Sequence, residues 1–386
     1  MRRGARLAAF FENYTRDLKA DDLQRLFTRD AREAYQFFAR HIDEKALEGL
    51  PRHRRVIERL RLFFTAFTMK LSPARRIVYA AALMFAAFGM FQLMRFPLII
   101  GDGGSRIVTV MPDGVGMVLI AFVLLNLLVL LEVADRLSLK NDLEIAREIQ
   151  QAMLPPGVFS APGVETVGMS RPANTVGGDF YEIFPLGDNR VIVAVGDVAG
   201  KGSPAALLMA LLLAMMRTLI DERLEPASLV ERLNVQVTRQ APGTRFITLF
   251  YGVYDLGTGE LTYVNAGHMP PLLLRAAAPT DHLAEGGMAL GMFEGSTYRT
   301  GHACLQPGDL LAVYSDGITE AENAAGRPFD EDGLEGTLSE ARRESVSAIG
   351  AAVVAAVERH TGDVRLADDL TILLLRRSTV AAPAGV

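Results

Sequence analysis

The chain has 386 residues, half of them hydrophobic, with a formal net charge of −5 and a mean hydropathy of +0.21. That length suits two or three domains, the apolar balance is high for a wholly water-soluble protein, and the absence of a basic excess argues against nucleic acid as a partner. One cysteine, Cys304, excludes an intrachain disulfide framework and a multi-cysteine zinc site, and six histidines without an HExxH spacing leave a zinc peptidase without its ligands.

Residues 1–75 read as a helical region in which charged and aromatic residues mix, with Phe27, Tyr35, Phe37 and Phe38 marking a packed or membrane-facing side. Two apolar runs follow. Ile77 to Met94 comes after Arg75-Arg76, and Val115 to Leu131 is interrupted by the polar Asn126. Each is about the length of a membrane span and apolar all round, which favours spans over buried core helices. The segment between them holds Pro97, Pro112 and several glycines, so the chain turns there. Basic residues crowd before the first run (Arg52, Arg54, Arg55, Arg59, Arg61, Lys70, Arg75, Arg76) and follow the second (Arg136, Lys140), whereas the connecting loop has Arg95 and Arg106 against Asp102 and Asp113. The expectation is a transmembrane hairpin over 76–135 in the cytoplasmic (inner) membrane, with both termini cytoplasmic.

Residues 136–155 continue as a helix without Gly or Pro and stop at Pro155-Pro156. Leu139, Leu143, Ala146 and Met153 share a seam, with Arg136 and Gln150 also on it. It reads either as a dimer-forming connector that carries a signal to the domain below or as a helix packed on its own domain.

Past Pro156 the pattern changes to short apolar strands split by Gly and Asp turns: "RVIVAVGDVAG", "RFITLFYGVYDL", "GELTYVNAG", "PPLLLRA", "GDLLAVYSDG" and "LTILLLRR". "YDLGTGEL" reads as a hairpin turn. Helices are expected over Pro204 to about Arg223, Pro226 to Gln240 and Ser345 to His360. Strands outnumber helices and hairpins dominate, so 156–378 is expected to be an α+β domain with antiparallel sheets, followed by a flexible tail over 379–386. Cys304, inside this region, is read as a small buried apolar residue.

The stretch "VAVGDVAGKGSPAALLMA" invites a phosphate-loop reading, which fails because Gly200-Lys201 is followed by Gly202 and the position five before Gly200 is Val195. What remains is Asp197 at a strand end. Asp179 in "VGGDFYEIF", Asp316 in "VYSDGITE" and the Asp368-Asp369 pair in "ADDLTILLL" also fall at strand ends or turns. A single such acid is usually a turn former. Four such sites, if the sheets gather them, repel one another unless cations sit between them. An oxygen-only donor set suits Mg²⁺ or Mn²⁺, and two such ions about 4 Å apart hold a water for attack on phosphorus.

In this order and spacing "GGDFYE", "GDVAGKG", "NAGH", "YSDGITEAEN" and "DDLTIL" resemble the metal-dependent protein phosphatase (PPM) family, in the bacterial branch typified by stage II sporulation protein E and the sigma-factor-regulating phosphatases; "EIAREIQQAMLP" resembles the helix that leads into that domain. The likeness covers about residues 140–378 and leaves the first 135 residues out. It implies an antiparallel β-sandwich flanked by helices, two Mn²⁺ or Mg²⁺ ions, and hydrolysis of phosphoserine or phosphothreonine by metal-activated water. Carried over by motif, Asp197 bridges the ions, the Val198 carbonyl completes one of them, Asp316 and Asp368 bind the second, Asp179 acts close by, and Asp369 is the weaker ligand of its pair. The implied protein is a membrane-anchored phosphatase, homodimeric through the connector, acting on a cytoplasmic phosphoprotein of the anti-sigma-factor-antagonist type. Alternatives are a catalytically weak binding module of the same fold and a phosphohydrolase for small esters. Asn265 and His268 are candidates for lining the site, His268 as a general acid. Arg171 and Arg245 are candidates for phosphate contact, Lys201 reads as an exposed turn residue or, alternatively, as a contact for substrate phosphate, and Glu320 as a residue that fixes its loop.

Overall fold

The computed structural model describes residues 51–94, 99–102, 106–109, 114–241 and 245–378. The expectations for residues 1–50 and for the tail 379–386 lie outside the described residues. The chain forms two compact units, Met1–Leu137 and Ser138–Val386.

In the first unit, helices α1 (Arg52–Lys70) and α2 (Pro73–Met94) precede a small antiparallel pair, β1 (Ile99–Asp102) and β2 (Arg106–Thr109). Helix α3 (Gly114–Met153) then begins. Both α2 and α3 are long and apolar enough to cross a membrane. They meet through small residues: Ala82 and Gly89 of α2 and Ala121 of α3 are buried, while most large apolar side chains point outward. A Cβ on Gly89 would lie 2.9 Å from the Gly114 carbonyl oxygen, and one on Gly114 would lie 2.7 Å from the Gly89 oxygen. Such close backbone approach is how apolar helices gain contact where no hydrophobic drive separates helix from lipid. At the charged end of the pair, Arg75 bridges Glu132 (3.3 Å) and Asp135 (2.8 Å).

The second unit is a sandwich of two antiparallel sheets. One has the order β10-β9-β13-β14-β4-β3 and the other β11-β8-β7-β6-β5, with β12 pairing β8 and β11 joining β8 in parallel. The strands are β3 (Val158–Ala161), β4 (Val164–Arg171), β5 (Phe180–Leu186), β6 (Arg190–Val198), β7 (Ile247–Asp255), β8 (Glu260–Ala266), β9 (Leu272–Leu274), β10 (Asp281–His282), β11 (Gly286–Gly287), β12 (Gly301–Cys304), β13 (Leu310–Tyr314) and β14 (Leu370–Arg377). Helices α4 (Ser203–Ile220) and α5 (Pro226–Gln240) cover one sheet, and α7 (Asp330–Glu340) and α8 (Val346–Thr361) the other; α6 (Asp316–Thr319) is a single turn.

Every layer is explained by which way the strand residues point. Val191, Val193 and Val195 of β6 face Leu311, Val313, Leu373 and Leu375 between the sheets. Their neighbours Ile192 and Ala194 pack outward on Met209, Leu212 and Leu213 of α4. Ile372 and Leu374 of β14 pack outward on Ile349 and Val353 of α8. Strands buried on both faces read as unbroken apolar runs, which is why "RVIVAV" and "LTILLL" were legible. Helix α4 also has the length and composition of a span, but Leu208, Met209, Leu212, Leu213 and Met216 are buried in this core, while Leu207 stays exposed.

The expected turn between β7 and β8 is present: Asp255 Oδ1 accepts from the Gly257 and Thr258 amides, each at 2.8 Å, and Gly259 takes φ +79°. Helix α8 is capped by Ser345, whose hydroxyl accepts from the Ala348 amide at 3.3 Å. Ser345→Ala removes that cap, worth about 1 kcal/mol, and is expected to lower the melting temperature by roughly 2–4 °C with turnover unchanged. A melting curve and an activity assay side by side check it.

One expectation fails here, and one open alternative is decided at the last turn of α3. Cys304 is exposed rather than buried: burial alternates along β12, and its last residue falls on the outward face. The seam along the connector also does not run free to its end. Met153 packs against the core beside α4 and Gln150 is buried, so the last turn of α3 is a helix packed on its own domain, while Leu139 stays exposed.

Candidate metal centre

The sandwich gathers the acids at one end of its sheets. Asp197 is the penultimate residue of β6, Asp179 immediately precedes β5, Asp316 opens α6 directly after β13, and Asp368-Asp369 lead into β14. Pairing of β6 with β5 sets Gly196 opposite Phe180, which brings Asp197 beside Asp179. Pairing of β13 with β14 sets Tyr314 opposite Ile372, which brings Asp316 beside Asp368 and Asp369. The two pairs come from different sheets and meet across the sandwich.

Their charges respond to one another. Burial pushes the Asp179 carboxyl well above its ordinary value, and the charges of Asp197 and Asp369 add to the rise, against the hydroxyls of Ser315 and Thr371. Burial likewise lifts Asp197 to about 6, an Asp179 hydrogen bond opposing and Asp316, Asp368 and Asp369 reinforcing the shift. Asp316 is raised by burial, then by Asp368 and Glu320, against the Gly317 amide and Lys201. Carboxylates crowded in this way hold protons or cations.

Asp369 is engaged differently. Its Oδ1 accepts from the Ala173 amide (2.8 Å) and its Oδ2 from the Gly178 amide (2.7 Å), so both oxygens bind backbone. Asp368 Oδ1 accepts from the Asp369 amide (2.9 Å), and its Oδ2 lies 2.8 Å from Lys201 Nζ.

The residues fit divalent cations on three observations. Asp179 Oδ2 is buried without a hydrogen-bond partner. Gly178 leaves room where a Cβ would stand 3.0 Å from the Val198 carbonyl oxygen and 3.4 Å from Asp197 Oδ1. The donors are all oxygens, as hard cations prefer. Among the described residues no three side chains already enclose a single point as ready-made ligands.

The remaining candidates divide. His268 is buried, its Nδ1 2.9 Å from Thr248 Oγ1, and burial lowers its pKa to about 4. Burial thus favours the neutral imidazole, which keeps one ring N–H but not the imidazolium form that suits a general acid. Asn265 Oδ1 accepts from the His268 amide at 2.7 Å, so it builds the turn. Arg171 pairs with Glu358 and does not reach the acids. Arg245 comes close to the Asp197 turn, its Nε 3.7 Å from where a Cβ on Gly200 would stand. Glu320 donates its backbone amide to the Asp316 carbonyl (2.7 Å), and its charge acts on the Asp316 carboxyl. Lys201 is half exposed, as a turn residue would be, and it also reaches Asp368. A cavity of about 910 Å³ opens elsewhere, between α4 and α5, and includes none of the acids.

The chain shares its family and fold with known proteins. Residues 187–378 match the family described as stage II sporulation protein E (SpoIIE). The chain is 30% identical over 244 residues to phosphoserine phosphatase RsbU of Bacillus subtilis, covering 62% of this chain and 71% of RsbU. It is 29% identical over 277 residues to protein IcfG of Synechocystis, covering 64% of this chain and 43% of IcfG. Over 190 residues it is 25% identical to phosphoserine phosphatase RsbP of B. subtilis, covering 48% of this chain and 47% of RsbP. The chain thus spans less than half the length of IcfG and RsbP. Among solved structures, the SiaA-PP2C domain of Pseudomonas aeruginosa shares the fold, with a TM-score of 0.55 at 23% identity, over 63% of this chain and 98% of that one.

Proposed function

The chain belongs to the SpoIIE-type family of PP2C-like protein serine/threonine phosphatases, and from that premise we propose that it is a membrane-anchored, divalent-metal-dependent phosphatase for phosphoserine or phosphothreonine on a cytoplasmic regulatory protein of the anti-sigma-factor-antagonist type. The observation that carries the reading is the meeting of Asp179 and Asp197 from one sheet with Asp316 and Asp368 from the other, with Lys201 the cation that pairs with them among the described residues.

Asp197, the Val198 carbonyl, Asp316 and Asp368 would hold two Mn²⁺ or Mg²⁺ ions, with Asp179 beside them. Ions so held acidify water and neutralise phosphate charge. The chain's own groups complete the site. Lys201 keeps its positive charge, raised by Asp368, and stands half exposed at the rim where a phosphate oxygen can replace that carboxylate. Asp369 fixes the two backbone segments that frame the acids.

Apolar helices α2 and α3 support a membrane anchor, with basic residues near their ends favouring cytoplasmic termini. The exposed upper connector, including Leu137 and Leu139, supports contact with a second copy.

The test is phosphate release by the purified full chain from a phosphoserine protein and from p-nitrophenyl phosphate, with and without Mn²⁺, beside Asp316→Asn. Mn²⁺-dependent release from the phosphoprotein, lost in the variant, is the expected result. Release from the small ester alone favours a small-molecule phosphohydrolase, and no metal-dependent release from either substrate overturns the proposal.

A further inference from the structure

The first unit holds a pocket of about 730 Å³ where α1 meets the paired helices α2 and α3. Phe67 of α1, Tyr79 of α2 and Leu125, Leu128 and Val129 of α3 wall it. Helix α1 is fastened to α2 beside this pocket. The Tyr79 ring lies 6.0 Å from that of Phe64 and 5.6 Å from that of Phe67. Arg76 donates to the Leu71 carbonyl (2.8 Å) and to the Met69 carbonyl (2.7 Å), which closes the end of α1.

Polarity changes in one direction along the pocket. Leu125, Leu128, Val129, Glu132 and Arg136 follow one another in helical steps of mostly three and four residues, so they share one face of α3. That face runs about 16 Å, close to half the hydrocarbon thickness of a bilayer. Its apolar part belongs to a run without any charge, and Glu132 is the first charged residue after that run. Lys70, at the end of α1, and Arg136 stand at the polar end. A phospholipid has the same order of parts, an acyl chain and then a phosphate.

Charge at this end selects the headgroup. Arg75 engages both Glu132 and Asp135, at 3.3 and 2.8 Å. Lys70, Arg75, Arg76 and Arg136 against Glu132 and Asp135 leave an excess of two positive charges. A zwitterionic headgroup brings a cation of its own to this rim, and a second copy of the chain brings the same basic residues. An anionic phospholipid supplies the opposite charge without either cost, and each basic residue near a membrane surface favours such a lipid.

We propose that this pocket binds one anionic phospholipid of the cytoplasmic leaflet, with its phosphate between Lys70 and Arg136 and an acyl chain along Leu125, Leu128 and Val129. The inference rests on the membrane-anchor reading above, and it makes α1 one wall of a lipid site.

The test uses the full chain in neutral detergent, stripped of lipid and titrated with phosphatidylglycerol or phosphatidylcholine, with bound lipids counted by native mass spectrometry. One phosphatidylglycerol is expected to bind about 10-fold more tightly than phosphatidylcholine, and Lys70→Gln and Arg136→Gln are each expected to weaken it about 5-fold. Val129→Trp fills the groove and is expected to weaken both lipids. Arg61→Gln removes a charge from an exposed position outside the pocket and is expected to leave binding as in the parent. Equal retention of the two lipids, or retention of neither by a chain that needs detergent, overturns the site. Parental binding in all three pocket variants overturns it as well, as does an Arg61→Gln loss as large as theirs. A chain that stays monodisperse in water without detergent and retains no lipid overturns the membrane-anchor reading itself, and this inference with it.

Discussion

Asp197→Asn is expected to abolish Mn²⁺-dependent phosphate release and, in the same protein without metal, to raise the melting temperature at neutral pH. The loss follows from removing a charged donor that serves both proposed ions, and it should exceed the roughly 100-fold upper cost of changing a residue that only orients such donors. The gain follows from the electrostatics of the metal-free site. Burial holds the Asp197 carboxyl at about 6 instead of 3.8, with neighbouring aspartates adding to the shift. Between those values the folded chain binds more protons than the unfolded one, so this group's contribution to stability falls as pH rises through that window. Above it the ionised carboxylate opposes folding, and an amide does not.

The variant should therefore melt about 5 °C higher at neutral pH, with the difference fading as pH falls through about 6 towards 4. His268 runs the other way, since burial lowers its pKa from 6.5 to about 4, but it is common to both proteins and cancels in the comparison at each pH. Paired melting curves in chelator across that range decide it. A variant that melts lower than the parent at neutral pH would mean that the aspartate is held by contacts stronger than the repulsion.

Gly317→Ala should cost comparable activity although it removes no chemical group. A Cβ at Gly317 would stand 1.9 Å from the Asp369 carbonyl oxygen and 2.8 Å from its carbon. Both are backbone atoms, which cannot swing aside as a side chain can. The start of α6 and the head of β14 must part by about 1 Å, a displacement that costs on the order of 100-fold in turnover when it falls among reacting groups. The parting falls between Asp316 and Asp368. Gly336 of α7 is the control: nothing lies within 4 Å of a Cβ there, and Ala in place of an exposed helical glycine gains up to about 1 kcal/mol. Measuring kcat and melting temperature for both substitutions separates the outcomes. Gly317→Ala should lose on both counts and Gly336→Ala on neither; a parental kcat in Gly317→Ala would show that the site tolerates the separation.

The parts of the fold that were legible are those whose residues are buried on both faces or end in Gly and Asp. Strands β6, β7, β8, β13 and β14 are of this kind, and Asp197, Asp316 and the Asp368-Asp369 pair were visible because each ends or borders such a run, whereas Asp179 was marked by the two glycines before it. Strand β5 was not, because "FYEIFPL" carries Glu182 and Pro185, and the reason for Glu182 lies in Arg217 on another element. Helix α7 was hidden by its two glycines, Gly333 and Gly336. Within the site, motif order located the carboxylates but not their partners. Lys201 reaches Asp368, and Gln150 reaches Gly177, by folding together segments that no local pattern connects. The exposed sulfur of Cys304 was missed for a similar reason: its burial depends on which face of a short strand it occupies.

The placement of β14 bears on how the protein comes into being. This strand lies inside its sheet, between β13 and β4, and Asp368 stands at its head, late in the chain. Residues 164–171 therefore wait unpaired on one side until translation has delivered residues 370–377, and the pocket of acids stays open until then. A polypeptide that stops before residue 368 is expected to lack both the central pairing of β14 and the Asp368 carboxylate, and with them the proposed metal site.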